Sequence, residues 1–276
     1  MTVSGRAAVL GSPIVHSLSP TLHRAAYAAL GLDWTYDAID VPKADFERVL
    51  EQLCSAPEFV GVSVTMPLKE LALAAAADAT EVAVRTQAAN TLVVKDGGLH
   101  ADNTDPVGIL WALERAGVVG DVQRGGIIGA GATSRSALAA FAQLGTSTVD
   151  VVARRPEAIA ALTAVAHEFG ISVESHNWDE YQPVLNQPVV ISTVPAGVCD
   201  AFAHNVPQVP GVLLDVVYAP WPTALALRWG SAGGVVVSGL EMLVGQAGRQ
   251  IEIMTGRHAP LDAMMDAATA ARQTAG

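Results

Sequence analysis

Short apolar runs alternate along the chain with longer segments in which apolar residues recur at helical spacing. In the first hundred residues, the apolar runs predict three strands and one hairpin, at 7–10, 34–41, 61–64 and 90–94 with 98–100. The intervening segments predict helices from Ser19 to Gly31, at 44–53 and from Pro67 to 77. In the first of these, Ser19 is the expected N-cap.

The rest of the chain repeats the alternation with more strands. Strands are predicted at 126–128, 148–152, 172–174, 189–191, 212–217 and 235–237, and helices at 106–116, 134–144 and 157–169. Strands joined through helices in this order form a parallel sheet that is covered on both faces. Residues 239–272 are predicted to be helical and to fold back across the first domain.

We therefore predict an α/β protein with two domains. Residues 1–104 form an N-terminal α/β domain, and residues 105–238 form a Rossmann-like domain with a doubly wound parallel sheet. Residues 239–276 form C-terminal helices that pack back on the first domain. A length of 276 residues is sufficient for two hydrophobic cores, and 51% hydrophobic residues exclude a disordered chain.

Charge and cysteine usage exclude several classes of function. The net charge of −11 argues against a nucleic-acid surface, which needs clustered basic residues. The two cysteines, Cys54 and Cys199, lie far apart, and the histidines lack ligand spacing, so we expect neither a disulfide framework nor a metal site. Residues 1–6 lack the apolar core of a signal peptide, and no apolar run could span a bilayer, so we expect a cytoplasmic protein without a membrane partner.

A glycine-rich turn begins directly after the predicted strand at 126–128. Gly129 and Gly131 can turn tightly and approach a pyrophosphate, while the helix that follows offers free N–H groups and the positive end of its dipole. Ser134 replaces the third glycine of the usual fingerprint. Alone, such a turn is equally compatible with an ordinary strand–helix connection, but a second strand ending at Val152 supports a dinucleotide site.

The residues after that second strand distinguish between cofactors. An acidic residue there would bind the ribose 2′-hydroxyl of NAD, whereas this chain has Arg154 and Arg155. Two guanidinium groups suit a 2′-phosphate, so NADP is favoured over a merely solvated basic pair. Asp150 lies inside the strand and is not the ribose-binding acid.

Further motifs lie outside the glycine-rich turn, at 11–20, 62–69, 89–91, 102–105 and 239–246. Together with the turn, and in this order, they resemble the shikimate dehydrogenase family over residues 8 to about 255. In that family, NADPH reduces the ketone of 3-dehydroshikimate to give shikimate, a step of aromatic amino-acid biosynthesis. The resemblance implies that residues 1–104 bind the substrate and that residues 105–238 bind NADP.

The resemblance also assigns site residues. It implies that Ser17 and Ser19 bind the substrate carboxylate, that Thr65, Asn90, Asp105 and Gln246 bind the ring hydroxyls, and that Tyr218 makes a further substrate contact. Lys69 and Asp105 match the pair implicated in proton transfer. The expected cofactor-binding residues are Gly129, Ala130, Gly131, Ala132, Thr133, Ser134, Arg154, Arg155, Val194, Val216 and Gly239.

Elementary chemistry agrees with the role of Lys69. Ketone reduction needs a proton at the oxygen, and an ammonium group can supply it. Lys69 also falls in the first turn after Pro67, where the helix dipole disfavours a cation, so stability does not explain it. Several other site residues have structural alternatives: Ser19, Thr65 and Asp105 could be helix caps, and Asn90 could support the turn before a strand.

Some positions depart from the family pattern. Ser63 stands where many relatives have Asn, Ala153 replaces an Asn that often precedes the cofactor arginine, and Ala158 stands where a second arginine is often found. Two functions therefore compete with an NADP-dependent shikimate dehydrogenase: a quinate/shikimate dehydrogenase that uses NAD, and a non-catalytic dinucleotide-binding sensor on the same fold. The resemblance favours a homodimer and leaves a monomer as the alternative.

Overall fold

The structure, a computed structural model, describes residues 4–274. Residues 1–3, part of the stretch on which the signal-peptide expectation rests, and residues 275–276, at the end of the last predicted segment, lie outside the described residues. The chain divides into two compact units, residues 1–104 with 243–276 and residues 105–242.

Twelve strands occur within residues 4–274. They are β1 (Gly5–Gly11), β2 (Trp34–Asp40), β3 (Phe59–Val64), β4 (Asp78–Ala79), β5 (Thr91–Lys95), β6 (Gly98–Asp102), β7 (Arg124–Ile128), β8 (Thr148–Val152), β9 (Ser172–His176), β10 (Val189–Ser192), β11 (Val212–Asp215) and β12 (Val235–Ser238).

The same residues form eleven α-helices. They are α1 (Ser19–Ala29), α2 (Phe46–Cys54), α3 (Lys69–Ala75), α4 (Glu81–Thr86), α5 (Asp105–Arg115), α6 (Ala132–Gln143), α7 (Pro156–Glu168), α8 (Gln182–Leu185), α9 (Ala224–Ser231), α10 (Gly239–Thr255) and α11 (Leu261–Thr274). Three short 3₁₀ turns accompany them, at Lys43–Asp45, Trp178–Glu180 and Asp200–Asn205.

The first unit is built on a mixed six-stranded sheet in the order β2-β1-β3-β5-β6-β4. Strands β2, β1 and β3 are parallel, whereas β5 runs antiparallel to both β3 and β6. Apolar side chains of β1, β3 and α2, including Leu10, Val62 and Phe46, form one core of this unit. Helix α11 returns to this unit and packs against α1, as the fold prediction required.

The second unit contains a fully parallel sheet in the order β12-β11-β10-β7-β8-β9. This is the doubly wound order predicted from the sequence, in which the chain leaves β7 in one direction and returns to β10 on the other side. Residues 239–242 belong to this unit, although the predicted boundary falls before them. The reason is packing: Gly239 lies against the backbone of Val216, and Met242 is part of the unit's hydrophobic core.

Two predicted helix starts were wrong. Helix α1 already includes Ser19; its N-cap is Leu18, and no side chain caps it. Helix α3 begins at Lys69 rather than at Pro67, because the amide of Leu68 first closes a turn onto the carbonyl of Thr65, 2.9 Å away. Neither Ser19 nor Thr65 is therefore the side-chain cap of its helix.

Three other differences arise from short or interrupted elements. The sequence pattern missed β4 and α4, which have two and six residues and are too short to show periodicity. The C-terminal helical segment is two helices, separated around Gly256, which has a positive φ of 69°. The strand predicted at 212–217 ends at Asp215.

His23, on α1, is a buried titratable side chain of the first unit. Its ring is fully buried and stacks on Tyr36 at a centroid distance of 3.8 Å, and its Nδ1 donates to the carbonyl of Ser19 at 2.9 Å. Within the described residues, its Nε2 has no hydrogen-bond partner. Burial lowers the pKa of His23 from 6.5 to about 4, although the bond to Ser19 works in the opposite direction.

We predict that His23 makes folding stability fall on acidification. Between pH 6.5 and pH 4 the unfolded chain binds a proton at His23 that the folded chain does not, so stability is lost as the pH falls through this window, by about 3 kcal/mol in total. Urea unfolding at several pH values would show a smaller acid-dependent loss in His23→Phe than in the wild type. The exposed His258 provides the control, His258→Gln. Equal pH slopes in His23→Phe and the wild type would contradict the prediction.

Candidate functional site

One edge of the first unit's sheet collects most of the predicted substrate residues. Strands β1, β3 and β6 end at this edge and β5 begins there, because β5 is antiparallel to β3 and β6. The residues that flank these strand ends are the predicted ones: Ser17, Ser19, Thr65, Lys69 and Asn90. Side chains from three separate segments thus come to the same edge, as is common for ligand sites of α/β sheets.

Close backbone packing holds the loops after β1 and β3 together. The amide of Thr65 donates to the carbonyl of Leu10 at 2.9 Å, and the amide of Ser12 donates to the carbonyl of Met66 at 3.1 Å. A Cβ atom on Gly11 would lie 2.4 Å from Cγ2 of Thr65, so only glycine permits this approach. The position of Thr65 therefore depends on Gly11.

Ser17 and Ser19 lie at the start of α1. The amide of Ser19 donates to Oγ of Ser17 at 3.3 Å, Ser19 is buried, and Ser17 is half-buried. The N-terminus of a helix carries free N–H groups and a partial positive charge, which favour a carboxylate. The two hydroxyls are thus placed where an anionic ligand is stabilised.

Lys69 is the first residue of α3 and is half-buried. Its carbonyl accepts a hydrogen bond from the amide of Ala89 at 2.9 Å, which connects the start of α3 to the residue before Asn90. A cation at a helix N-terminus is destabilising, so this position suggests a chemical role for the ammonium group rather than a structural one.

Asn90 is almost completely buried, with 2% of its surface exposed. Its side-chain Nδ2 donates to Oγ1 of Thr104 at 2.9 Å and to Oε1 of Gln246 at 3.1 Å, and its Oδ1 accepts from the amide of Thr104 at 2.8 Å. Gln246, on α10, is thereby brought to the same edge although it lies 156 residues away in the chain.

Asp105 and Tyr218 belong to the second unit. Asp105 is the first residue of α5 and is buried, and Oγ of Ser136 lies 3.5 Å from its Oδ2. Tyr218 is half-buried in the segment between β11 and α9.

The carboxyl ends of the second unit's strands collect the predicted cofactor residues. These residues follow β7, β8, β10, β11 and β12, and they are Gly129, Ala130, Gly131, Ala132, Thr133, Ser134, Arg154, Arg155, Val194, Val216 and Gly239. The chain reverses its winding direction between β7 and β10, and the crevice outside such a switch point is where doubly wound folds bind nucleotides.

Thr193 shapes the glycine-rich turn and was not among the predicted residues. Gly129 has a φ of 114°, and a Cβ atom on it would lie 2.3 Å from Oγ1 of Thr193. The same Oγ1 donates to the carbonyl of Ile128 at 2.9 Å and lies 2.7 Å from Oγ of Ser134, which accepts from the amide of Gly131 at 3.1 Å. The hydroxyl of Ser134 thus supports the turn from inside, whereas a Cβ on Gly131 would meet no atom within 4 Å.

The arginines after β8 are exposed, whereas the aspartate inside the strand is buried. Arg154 and Arg155 are exposed, and Arg155 is the N-cap residue of α7. Asp150, inside β8, is buried and accepts from Nη2 of Arg124 at 2.8 Å and contacts Nε2 of His176 at 2.7 Å. Asp150 is therefore engaged in an ion cluster of the sheet, away from the end of the strand.

Packing beside the end of β11 requires a glycine at position 239, whether or not this residue binds a cofactor. A Cβ atom there would lie 1.9 Å from the carbonyl oxygen of Val216, so α10 can begin beside the end of β11 only with glycine.

Over residues 4–274, no group of three or more His, Cys, Asp or Glu side chains is arranged to hold a metal ion. Within the same residues, no helix is long and apolar enough to cross a membrane, and Cys54 and Cys199 are unpaired thiols.

Family models match both ends of the chain. The model of the shikimate dehydrogenase substrate binding domain matches residues 9–92, and that of the shikimate 5'-dehydrogenase C-terminal domain matches residues 239–269. A shikimate dehydrogenase (NADP(+)) from Methanococcoides burtonii is 35% identical, over 93% of this chain and 94% of the relative. A pentafunctional AROM polypeptide from Candida tropicalis is 34% identical over 92% of this chain, which spans only 17% of that longer protein.

The solved structures that resemble this chain include shikimate dehydrogenases. The shikimate dehydrogenase of Mycobacterium tuberculosis has a TM-score of 0.87 and 43% identity, over 96% of this chain and 99% of that chain. The shikimate 5-dehydrogenase of Thermus thermophilus, solved in complex with NADP(H) and shikimate, has a TM-score of 0.85 and 32% identity, over 97% of this chain and 99% of that chain.

We predict that the two glycines of the turn fail in different ways when a methyl group is added. Gly129→Ala introduces a clash with Thr193 and a strained φ, so it should lower the melting temperature by several degrees and weaken NADP binding. Gly131→Ala should leave the melting temperature nearly unchanged but weaken NADP binding at least about tenfold, because the methyl group fills the space that a pyrophosphate needs.

Calorimetric melting and NADP titration measure both effects. Gly120→Ala is the control for backbone strain alone, since Gly120 has a φ of 88° and no neighbour within 4 Å of the added Cβ. Undiminished NADP binding by Gly131→Ala would show that the turn does not hold the cofactor.

Proposed function

The chain belongs to the shikimate dehydrogenase family, and from this premise we propose that it catalyses the reversible, NADPH-dependent reduction of 3-dehydroshikimate to shikimate. The observation that carries the proposal is the match to shikimate dehydrogenases (NADP(+)) over more than nine-tenths of the chain, across both units. This reaction is a step of chorismate and aromatic amino-acid biosynthesis.

We assign substrate binding to the strand-end edge of the first unit. Ser17 and Ser19, at the positive end of α1, bind the carboxylate of the substrate. Thr65, Asn90 and Gln246 bind its ring hydroxyls, and the family resemblance assigns substrate contacts to Asp105 and Tyr218 as well. The packing of Thr65 against Gly11 and the hydrogen bond from Asn90 to Gln246 support these roles, because both side chains are placed at this edge without a ligand.

We assign NADP to the carboxyl edge of the second unit's sheet. The residues fit this cofactor: the space over Gly131 is open to a pyrophosphate, and Arg154 and Arg155 can bind the 2′-phosphate from the end of β8. When bound, NADPH supplies the hydride for the carbonyl carbon.

The chain's own residues supply the proton. Reduction leaves negative charge on the former carbonyl oxygen, and the Lys69 ammonium delivers a proton to it. The family resemblance names Asp105 as the carboxylate of the proton-transfer pair. In the reverse direction, neutral Lys69 accepts the proton of the hydroxyl that is oxidised. The unfavourable position of a cation at the start of α3 supports a catalytic role for this lysine.

We also propose a cytoplasmic location and a homodimer. The cytoplasmic location agrees with the two unpaired cysteines, because the cytoplasm keeps thiols reduced. The homodimer follows the family resemblance. Fractionation and sedimentation equilibrium test the two proposals; a sedimenting monomer would exclude the dimer.

The activity itself is tested by a four-way turnover comparison. The purified chain is assayed for cofactor reduction with NADP or NAD, each with shikimate or quinate. We expect kcat/KM for NADP with shikimate to exceed every other combination by at least about tenfold. A preference for NAD with quinate would favour the quinate/shikimate dehydrogenase alternative. Absence of turnover in all four combinations, with NADP still bound, would favour a dinucleotide-binding sensor.

We predict that Lys69→Ala lowers kcat by about 10²–10⁴-fold, because proton transfer to a positioned oxygen contributes about this much to a rate. The KM for NADP should stay within about twofold of the wild-type value. The chain has only three lysines, and Lys95→Ala, at an exposed position at the end of β5, is the matched control. Nearly full turnover in Lys69→Ala would show that Lys69 does not transfer the proton.

A further inference from the structure

A buried chain of polar side chains lies behind Asn90 in the first unit. It runs from β2 through β3 and α10 to the start of β5, and we call it the buried polar chain: Tyr36, Ser63, Gln250, Thr91, Asn90 and Gln246. Each of these six residues is less than a tenth exposed. Four of them, Tyr36, Ser63, Gln250 and Thr91, have no part in the proposed chemistry.

The contacts of the buried polar chain are short and continuous. The hydroxyl of Tyr36 donates to Oγ of Ser63 at 2.6 Å, and Ser63 donates to Oε1 of Gln250 at 2.7 Å. Nε2 of Gln250 donates to Oγ1 of Thr91 at 3.0 Å, and Thr91 donates to Oδ1 of Asn90 at 2.8 Å. Ser63 and Thr91 are cross-strand partners on β3 and β5, and Gln250 bridges their hydroxyls from α10.

Backbone groups determine which way each amide points. Nε2 of Gln250 faces the carbonyl of Asn90 at 3.1 Å, so this atom must be the nitrogen. Oδ1 of Asn90 faces the amide of Thr104 at 2.8 Å, so it must be the oxygen. Nε2 of Gln246 faces the carbonyl of Leu243 at 3.0 Å. These three contacts allow only one arrangement of donors and acceptors.

The direction of donation follows from that arrangement. Burial raises the pKa of Tyr36 well above its ordinary value, so its hydroxyl keeps its proton and donates. Both Nε2 hydrogens of Gln250 are used, one on Asn90 and one on Thr91, which leaves the Thr91 hydroxyl hydrogen for Oδ1 of Asn90. Asn90 then donates to Oε1 of Gln246, so the Gln246 nitrogen, which uses one hydrogen on the carbonyl of Leu243, has its second hydrogen to donate toward a ligand.

We propose that Gln250, Thr91 and Ser63 are positioning residues for substrate binding, which fix the orientation of the Asn90 and Gln246 amides before the ring hydroxyls arrive. The inference rests on the proposed function for the identity of the ligand. Without the Thr91 hydroxyl, Oδ1 of Asn90 loses one of its donors, so the Asn90 amide, and with it the contact from its Nδ2 to Oε1 of Gln246, is held less firmly. Preorganised polar groups of this kind raise affinity because their ordering is not required at the moment of binding.

Thr91→Val and Gln250→Met test the proposal, because both keep the size of the side chain and remove its hydrogen bonds. We expect each to raise the dissociation constant for shikimate about tenfold, with the value for NADP within about twofold of wild type. Thr91→Ser keeps the hydroxyl and should bind shikimate within about twofold of wild type. The double variant should bind little more weakly than the weaker single variant, because both changes break the same chain.

The matched control removes a hydroxyl from the same helix without touching the buried polar chain. Thr255 donates to the carbonyl of Ile251 at 2.7 Å on α10, so Thr255→Val should leave shikimate binding unchanged. If Thr91→Val does not fold, Ser63→Ala provides the same test from the next position, with a smaller expected loss. Wild-type shikimate affinity in Thr91→Val and Gln250→Met, with lower melting temperatures, would show that the chain supports only the fold. An equal loss in Thr91→Ser would point to the methyl group instead and overturn the proposal.

A measurement without ligand separates this inference from the proposed function. In ¹⁵N spectra of the ligand-free protein, the side-chain amide hydrogens of Asn90 should exchange faster in Thr91→Val than in wild type and Thr91→Ser, because the amide is held by one hydrogen bond fewer. Absence of wild-type turnover with shikimate, together with this pattern, would reject the dehydrogenase and retain the orienting chain. Normal turnover of the wild type with shikimate, together with equal protection in all three proteins, would retain the dehydrogenase and reject the orienting chain.

Discussion

The amide of Asn90 is the interaction on which the first unit's site depends. A buried amide that loses its partners costs roughly 1–3 kcal/mol, so the surrounding chain must satisfy it. Asn90 is satisfied by the segment after β6 and by α10 through its side chain, and by β3 and β6 through its backbone. Elements distant in the chain are thereby held at a single strand edge, where Lys69 begins its helix.

The second unit solves a related problem with glycine instead of an amide. Parallel strands leave their last carbonyl and amide groups at one edge, and a ligand can approach these groups only where no side chain intervenes. Gly129 provides the turn, Thr193 fills the space behind it, and Gly131 leaves the outer side open. The requirement for glycine therefore has two causes within three residues: internal packing at Gly129 and external access at Gly131.

The two units differ in what their polar groups do. In the first unit, buried donors and acceptors such as those of Gln250 and Thr91 are paired within the protein, next to the proposed substrate residue Asn90. In the second, Arg154 and Arg155 remain exposed at a strand end, where they can meet a phosphate without the cost of burial. The proposed ring-hydroxyl contacts thus rely on preorganised neutral groups, and the proposed 2′-phosphate contacts on exposed charges.

Much of this could be predicted from local patterns, because strand and helix periodicities and the glycine turn each involve neighbouring residues. The strand at 148–152 was predicted with its observed limits, and the motif order identified the family and its cofactor. The starts of α1 and α3 were misplaced by one or two residues, since the turns before them depend on backbone hydrogen bonds that residue types alone do not specify. The contacts of Thr193 with Gly129 and of Ser63 with Gln250 join residues 64 and 187 positions apart. No periodicity extends that far; such partners are selected when packed elements must satisfy the same buried polar groups, which requires the folded chain.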